Sequence, residues 1–384
     1  MPTTQTTPTT PNPPTTTPDH LLRASFAAGR AQGLRAREAA ARLNVSEGAV
    51  MAAHAVGQMN PQEEAASLYS VTVLDGDWLA LLHGLEGVGP VMALTRNEAV
   101  VHEKTGVYRH ASAHGLVGMV LGPEIDLRLF FSHWHVGMHV VEHDPERGDV
   151  HSLQFFDAHG QALHKVHARP HTDLQALETL VQQHARPEAR PVFMPAALSQ
   201  PADLSDAQID VAGLGQAWSA MRDTHEFFDL LKRFKVSRTQ SLRLMEGLHT
   251  RRTPLMAVEW LLHSAALHAL PIMVFAGNAG CLQIHTGQVE HVERMGPWLN
   301  VLDAGFNLHV RTEAIAESWL VSKPTADGVV TSIELFDAQG GLLAMFFGER
   351  KPGKPELPAW RMLAHSLTSP EGAHATVADN KVAA

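Results

Sequence analysis

Apolar residues recur at helical spacing along residues 19–90, and give way to short β-branched and aromatic runs from Val91 onward. A period near 3.6 turns side chains to one face of a helix, and a period of two does the same for a strand. The chain therefore predicts helices with short turns over 19–90, then strands at 91–95, 99–102, 127–131, 138–142, 151–156 and 162–166. A helix from Asp173 to His184 closes this half, and a proline-rich stretch follows, with Arg186-Pro-Glu-Ala-Arg-Pro and Ser199-Gln-Pro-Ala-Asp. The same order then returns. Helices are predicted over roughly 208–268, and strands at 272–276, 281–285, 299–303, 307–310, 320–323, 329–336 and 342–347.

The two halves also match in wording. Arg96-Asn-Glu-Ala-Val-Val-His-Glu-Lys-Thr-Gly parallels Gly277-Asn-Ala-Gly-Cys-Leu-Gln-Ile-His-Thr-Gly, and Phe156-Asp-Ala-His-Gly parallels Phe336-Asp-Ala-Gln-Gly. Asn97 pairs with Asn278 and Asp157 with Asp337, at offsets of 181 and 180 residues. Two distant markers keeping one offset identify an α+β fold made by tandem duplication of a helix-plus-large-antiparallel-sheet unit. The expected organisation is a disordered Thr/Pro tail at 1–18, an N-terminal repeat at 19–185 and a linker at 186–207. A C-terminal repeat at 208–368 and a flexible tail at 369–384 complete it.

One helix in the second unit stands out. Phe227, Leu230, Leu231 and Phe234 form a packing stripe, with Asp223 or Thr224 as the expected cap. At about 100° per residue, His225 falls off that stripe, beside Phe228 and Lys232. Its imidazole is free to meet something other than its own core.

Composition narrows the chemistry. The chain has 384 residues, 45% hydrophobic and 18% charged, with a formal net charge of -10. That balance describes a globular protein and favours neither nucleic acid nor an anionic membrane as a partner. No apolar run reaches the roughly 18 residues of a membrane span, and the tail lacks the pattern of a secretory signal, so a cytoplasmic protein is expected. One cysteine, Cys281, excludes an internal disulfide and a thiolate cluster.

Twenty-five histidines hint at metal or a metallated ligand. His133, His135, His139 and His143 would share one strand face, but no carboxylate completes a zinc set. There is no Gly-x-Ser-x-Gly elbow and no phosphate-binding glycine loop. Arg37–Val50 resembles a helix-turn-helix, yet its second helix lacks side chains that read base edges. Alternation over 125–131 puts Asp126, Arg128 and Phe130 on one face, where Arg128 could simply pair with Asp126.

Several segments together resemble one family. Ile125-Asp-Leu-Arg-Leu-Phe, Phe155-Phe-Asp-Ala-His-Gly, Thr224-His-Glu-Phe-Phe, Gly277–Gly287, Trp298-Leu-Asn and Lys323-Pro-Thr-Ala-Asp-Gly are similar to the bacterial hemin-degrading factors of HemS/ChuS type. The resemblance runs through residues 20–365 and covers both repeats. It implies a haem cleft in the second half, with His225 as axial iron ligand and Arg128 as the opposing, catalytic residue. Arg238, Lys323, Arg350, Phe275 and Phe347 fall on pocket positions. Imidazole is a common haem ligand, cations suit ionised propionates, and a guanidinium can donate hydrogen bonds on the iron's open face.

Two positions depart from the family pattern, which has glutamine at Met345 and tyrosine at Phe347. An amide and a hydroxyl are thereby lost, and Met345 could fill a gap or offer a second ligand. The resemblance implies haem as cofactor and a role in bacterial iron acquisition, by oxidative degradation or by carriage to a separate oxygenase. An electron donor, a haem importer or a haem oxygenase are the implied partners.

Overall fold

The computed structural model describes residues 18–55, 57, 59–146, 148–195, 203–350 and 353–368. The Thr/Pro tail and the final segment lie outside these. The first half begins α1 (Asp19–Ala31), α2 (Ala36–Arg42), α3 (Glu47–Ala53), α4 (Pro61–Ala65), β1 (Tyr69–Leu74) and α5 (Trp78–Val88). Strands β2 (Val91–Arg96), β3 (Val100–Gly106), β4 (Ser112–His114), β5 (Val117–Leu121) and β6 (Asp126–Phe130) follow. Then come β7 (Val136–Asp144), β8 (Gly148–Phe156), β9 (Ala162–Ala168) and α6 (Leu174–His184).

The second half repeats the order with α7 (Val211–Ser219), α8 (Glu226–Phe234), α9 (Arg238–Leu244), β10 (Thr250–Arg252) and α10 (Ala257–Leu267). It continues through β11 (Ile272–Gly277), β12 (Cys281–Gly287), β13 (Val292–Met295), β14 (Trp298–Asp303) and β15 (Phe306–Arg311). Strands β16 (Glu317–Thr325), β17 (Gly328–Phe336), β18 (Leu342–Gly348) and helix α11 (Pro358–Ser366) end it.

The strands make two nine-stranded antiparallel sheets, ordered β1-β7-β8-β9-β2-β3-β15-β14-β13 and β10-β16-β17-β18-β11-β12-β6-β5-β4. Each sheet takes six strands from one half and three from the other. The duplicated units therefore exchange a three-stranded meander, and Arg128 on β6 becomes part of the second unit's sheet. Alternation predicts faces but carries no information about which half a strand joins.

The repeated asparagines and aspartates hold this arrangement. Asn97 donates to the carbonyls of Gly277 and Leu343, and Asn278 donates to those of Arg96 and Leu163. Each also accepts from backbone amides of its own turn, Ala99 and Val100 for one, Gly280 and Cys281 for the other. Asp157 and Asp337 do the same for the turns before β9 and β18. The two asparagines are thus ties between the halves, and the two aspartates hold equivalent turns within each.

Helices α5 and α6 pack on one face of the first sheet, and α10 and α11 on the corresponding face of the second. The three-helix groups α1–α3 and α7–α9 cover part of the opposite faces. Two strands, Tyr69–Leu74 and Thr250–Arg252, lie inside the stretches expected to be helical. Both are outermost in their sheets, with only isolated bridges on the outer side, so tertiary pairing rather than local periodicity makes them strands.

The helix-turn-helix resemblance is a packing motif. Its second helix buries Glu47, Gly48, Val50, Met51 and Ala53, and the Gly48 amide donates to Gly160 O at 2.9 Å. The expected single face of four histidines also fails: Phe131–His133 is a 3-10 turn, His135 precedes β7, and only His139 and His143 lie on the strand. Among the described residues no group of three or more potential ligands could hold a metal ion, and no helix is long and apolar enough to cross a membrane.

The interior holds neutral histidines. His164 lies between Tyr108 Oη at 2.6 Å and Thr95 Oγ1 at 2.8 Å. Burial pushes His164 and His285 down to about 3 and His139 down to about 4 from an ordinary 6.5. The unfolded chain binds more protons than the folded one in that window, so stability falls as pH drops from 6.5 toward 3. Each such histidine contributes a loss of about 1.4 kcal/mol per pH unit. Melting temperature should fall through this range, and His164→Gln should shallow the slope. A slope identical to wild type would rule out His164 as one of its causes.

Candidate functional site

Helix α8 buries Phe227 and Leu230 against Trp218, Trp319 and Phe336, as the apolar stripe requires. Its cap differs from expectation. His225 itself occupies the cap position with helical backbone angles, φ -68° and ψ -27°, and makes no side-chain cap bond. Asp223 sits two residues earlier, and its Oδ1 accepts from both the His225 amide at 2.9 Å and His225 Nδ1 at 2.6 Å. The His225 side chain is 93% exposed, and Phe228 beside it is exposed with Lys232 Nζ 4.2 Å from its ring centre. The expectation that this imidazole avoids its own core holds. Hydrogen bonds from His225, together with the nearby Arg350 charge, hold the Asp223 carboxyl below its ordinary range.

Behind α8 lies a group that sequence reasoning missed. Glu334 on β17 is fully buried, accepting from Lys323 Nζ at 2.7 Å, Arg238 Nε at 2.8 Å and Ser332 Oγ at 3.0 Å. Burial opposes its ionisation, but the Arg238 and Lys323 charges prevail and hold it well below the usual carboxylate range. Burial lowers Lys323 to about 8 against the pull of Glu334. Both cations also stand over the Phe227 ring, at 5.2 Å for Arg238 and 4.6 Å for Lys323. Arg238 and Lys323, which the family resemblance puts on pocket positions, form with Glu334 a triad that retains one net positive charge. Nothing in the alternating run Ser332-Ile333-Glu334-Leu335 marks that acid as the partner of two distant cations.

The triad borders an open sheet face. Glu334 pairs across strands with Met345, Met345 with Phe275, and Met273 with Phe347. Arg238 Nη2 approaches Met345 Sδ at 3.1 Å, which puts that thioether against a guanidinium. The Phe275 and Phe347 rings meet edge-on at 5.0 Å. Beyond β11, Leu282 on β12 pairs with Arg128 on β6. Along β18, β11, β12 and β6 the residues on this face are mostly half-exposed, while their alternates are buried. The face therefore runs from the triad across two aromatic rings to Arg128, three strand spacings of about 4.8 Å from β18.

Arg128 pairs with Asp126 and donates to Leu127 O at 3.1 Å, so the simple pairing does occur. It leaves the guanidinium on the open face. Arg350 follows β18, and its buried Nε has no hydrogen-bond partner among the described residues. His225 and Arg128 make no contact with each other. What links His225 to the triad and its sheet is indirect: the Arg350 charge acts on Asp223, and Phe227 of the same helix lies under Arg238 and Lys323. A concavity of about 610 Å³ lies elsewhere, between α7 and the end of α9, and shares none of these residues.

The first half does not repeat the set. Its helix pair aligns through the caps Ser46 and Ser237 and the left-handed residues Asn44 and Lys235. Leu34 then matches His225, and Ala36 matches Phe227. Glu47 stands for Arg238, Gln154 for Glu334 and Lys165 for Met345, with Lys165 Nζ 2.5 Å from Glu47 Oε1. Beside Ala36 lies only a small cavity of about 100 Å³, whose lining includes Glu47, Gln154 and Lys165. That is below the roughly 300 Å³ at which small-molecule pockets begin.

Fold and site together define a tandem-repeat α+β protein with an exposed imidazole and an aromatic, cation-rimmed sheet face in its second half. The chain belongs to the haemin-degrading HemS.ChuX domain family, whose model matches residues 44–184 and again 235–367. Its relatives include the hemin transport protein HmuS of Yersinia pestis, 42% identical over 294 residues, covering 75% of this chain and 83% of that one. HemS of Yersinia enterocolitica, also a hemin transport protein, is 41% identical over 289 residues with the same coverage. The haem-binding protein PhuS of Pseudomonas aeruginosa, in its holo form, superposes with TM-score 0.85 at 43% identity, over 91% of this chain and 99% of that one. The haem-degrading enzyme ChuS of Escherichia coli O157:H7 gives 0.82 at 34% identity, over 91% and 100%.

Proposed function

We propose that this chain binds haem on the open face of its second sheet and opens the ring oxidatively, releasing iron inside the cell. The observation that carries this reading is the exposed His225 imidazole, its Nδ1 already engaged, on a helix whose Phe227 lies under the two cations that border an aromatic sheet face. His225 would supply the iron ligand, Phe275 and Phe347 the apolar contact, and Arg350 with the Arg238–Lys323–Glu334 triad the charge for two propionates. The unpartnered Arg350 Nε fits a carboxylate acceptor. Arg128 would face the site from β6, a donor where charge develops during oxidation. Haem, when bound, supplies the redox chemistry, with electrons from an external donor. In the alternative role of carrier, the same residues hold the group and a separate oxygenase consumes it.

The test is anaerobic loading with one equivalent of ferric haem, then air and a reductant in the presence of catalase, with product analysis. A shifted Soret band followed by a ring-opened tetrapyrrole and free iron is expected. Intact haem after repeated turnover conditions would leave the carrier role, and an unshifted band would end the haem reading. Arg128→Ala should keep the haem yet slow ring opening by roughly 100-fold, the scale for losing one preorganised donor.

A further inference from the structure

We infer that Asp223 is a positioning residue for His225, fixing the imidazole in the tautomer that carries its proton on Nδ1 and leaves Nε2 as the free lone pair. This rests on the reading of His225 as iron ligand. The geometry is specific. One carboxylate oxygen, Oδ1, receives Nδ1 at 2.6 Å and the backbone amide of the same histidine at 2.9 Å. The acid is therefore tied to the main chain at the start of α8, and the ring is tied to the acid. The segment is anchored in turn, because the Ala326 amide in the β16–β17 turn donates to Arg222 O at 2.8 Å.

A neutral imidazole accepts at one nitrogen only, and the partner of the other nitrogen decides which. Without Asp223, a ring that is 93% exposed would sample both tautomers and several rotamers in water. With it, the ring is preorganised and its Nδ1–H bonds to a charged acceptor. That bond makes Nε2 a stronger donor toward a cation, and more so toward ferric than ferrous iron. A haem seated over the pair would also exclude water and strengthen the bond, since local dielectric falls. Asp223 therefore favours the ferric state and lowers the potential of the bound iron.

The experiment compares wild type with Asp223→Asn and Asp223→Ala in the full chain, loaded with haem. Asparagine retains a side-chain acceptor for the His225 amide but removes the charge, so α8 and the fold are kept, checked by the thermal melt. Ferric haem should bind Asp223→Asn about 10- to 100-fold more weakly, the usual effect of losing such a partner. A tenfold loss confined to the ferric form raises the reduction potential by about 59 mV. The iron–histidine stretching band of the ferrous form should fall in frequency. Unchanged ferric affinity and potential in Asp223→Asn would overturn the inference. So would changes seen only in Asp223→Ala, which would assign Asp223 to the turn alone. A wild type whose haem binding survives His225→Ala unaltered marks failure of the ligand reading itself.

Discussion

Glu334→Ala is expected to destabilise the chain by about 3–5 kcal/mol, the range for removing one member of a buried charged set. Lys323 is 4% exposed and Glu334 fully buried, so the substitution strands an ammonium in the interior with its main partner gone. Arg238 is less affected, because its guanidinium is partly exposed and still reaches Met345 and Phe227. Glu334→Gln keeps a hydrogen-bond acceptor but no charge, and should fall between wild type and alanine. Pairing it with Lys323→Met removes the stranded charge and should recover most of the loss, since apolar replacement of a buried ion pair is well tolerated. Urea denaturation of the two single variants and the double variant measures the coupling. Additive effects would show that Lys323 and Glu334 do not depend on each other.

His225→Ala should weaken ferric haem binding by more than about 100-fold, since losing even a ligand's hydrogen-bond partner typically weakens metal binding by 10- to 100-fold. Stability should hardly change, because the side chain is 93% exposed and packs against nothing in the core. That combination separates a ligand from a structural residue. Added imidazole should restore a histidine-like spectrum by filling the space left by the ring. Retained affinity and an unshifted Soret band would assign the iron to another residue.

Much of the fold was legible because local pattern and global structure agree. The strand runs from Val91 to Val166 and from Ile272 to Phe347 appear as strands, most of them a residue or two longer than their apolar segments. The duplication was legible because Asn97, Asn278, Asp157 and Asp337 must hold equivalent turns, so their identities persisted with the repeat. Strand exchange was not legible, since β6 pairs with β12 from the other half through backbone bonds that leave no mark on side-chain alternation. It is nevertheless what brings Arg128 to the face shared by Phe275 and Phe347.

The site was legible unevenly. His225 announced itself by falling off the apolar stripe of α8, a local property. Family resemblance alone pointed to Arg238 and Lys323, and it did not reveal Glu334, which reads as one polar residue in the alternating run Ser332-Ile333-Glu334-Leu335. Its partners come from β16 and α9, separated from it by 11 and 96 residues. The role of Asp223 was misread for a related reason. Sequence favours aspartate as a helix cap, yet here the carboxylate bonds the histidine at the cap position and its ring.

The central claim is that haem lies on the second sheet's open face with its iron on His225, and a crystal structure of the haem-loaded chain tests it most directly. The account predicts Nε2 of His225 on the iron at about 2.0–2.1 Å, the usual metal–imidazole distance, with the ring against Phe275 and Phe347 and Arg128 facing it. Haem seated between α7 and α9, or on the first half's sheet, with His225 still in solvent would contradict it.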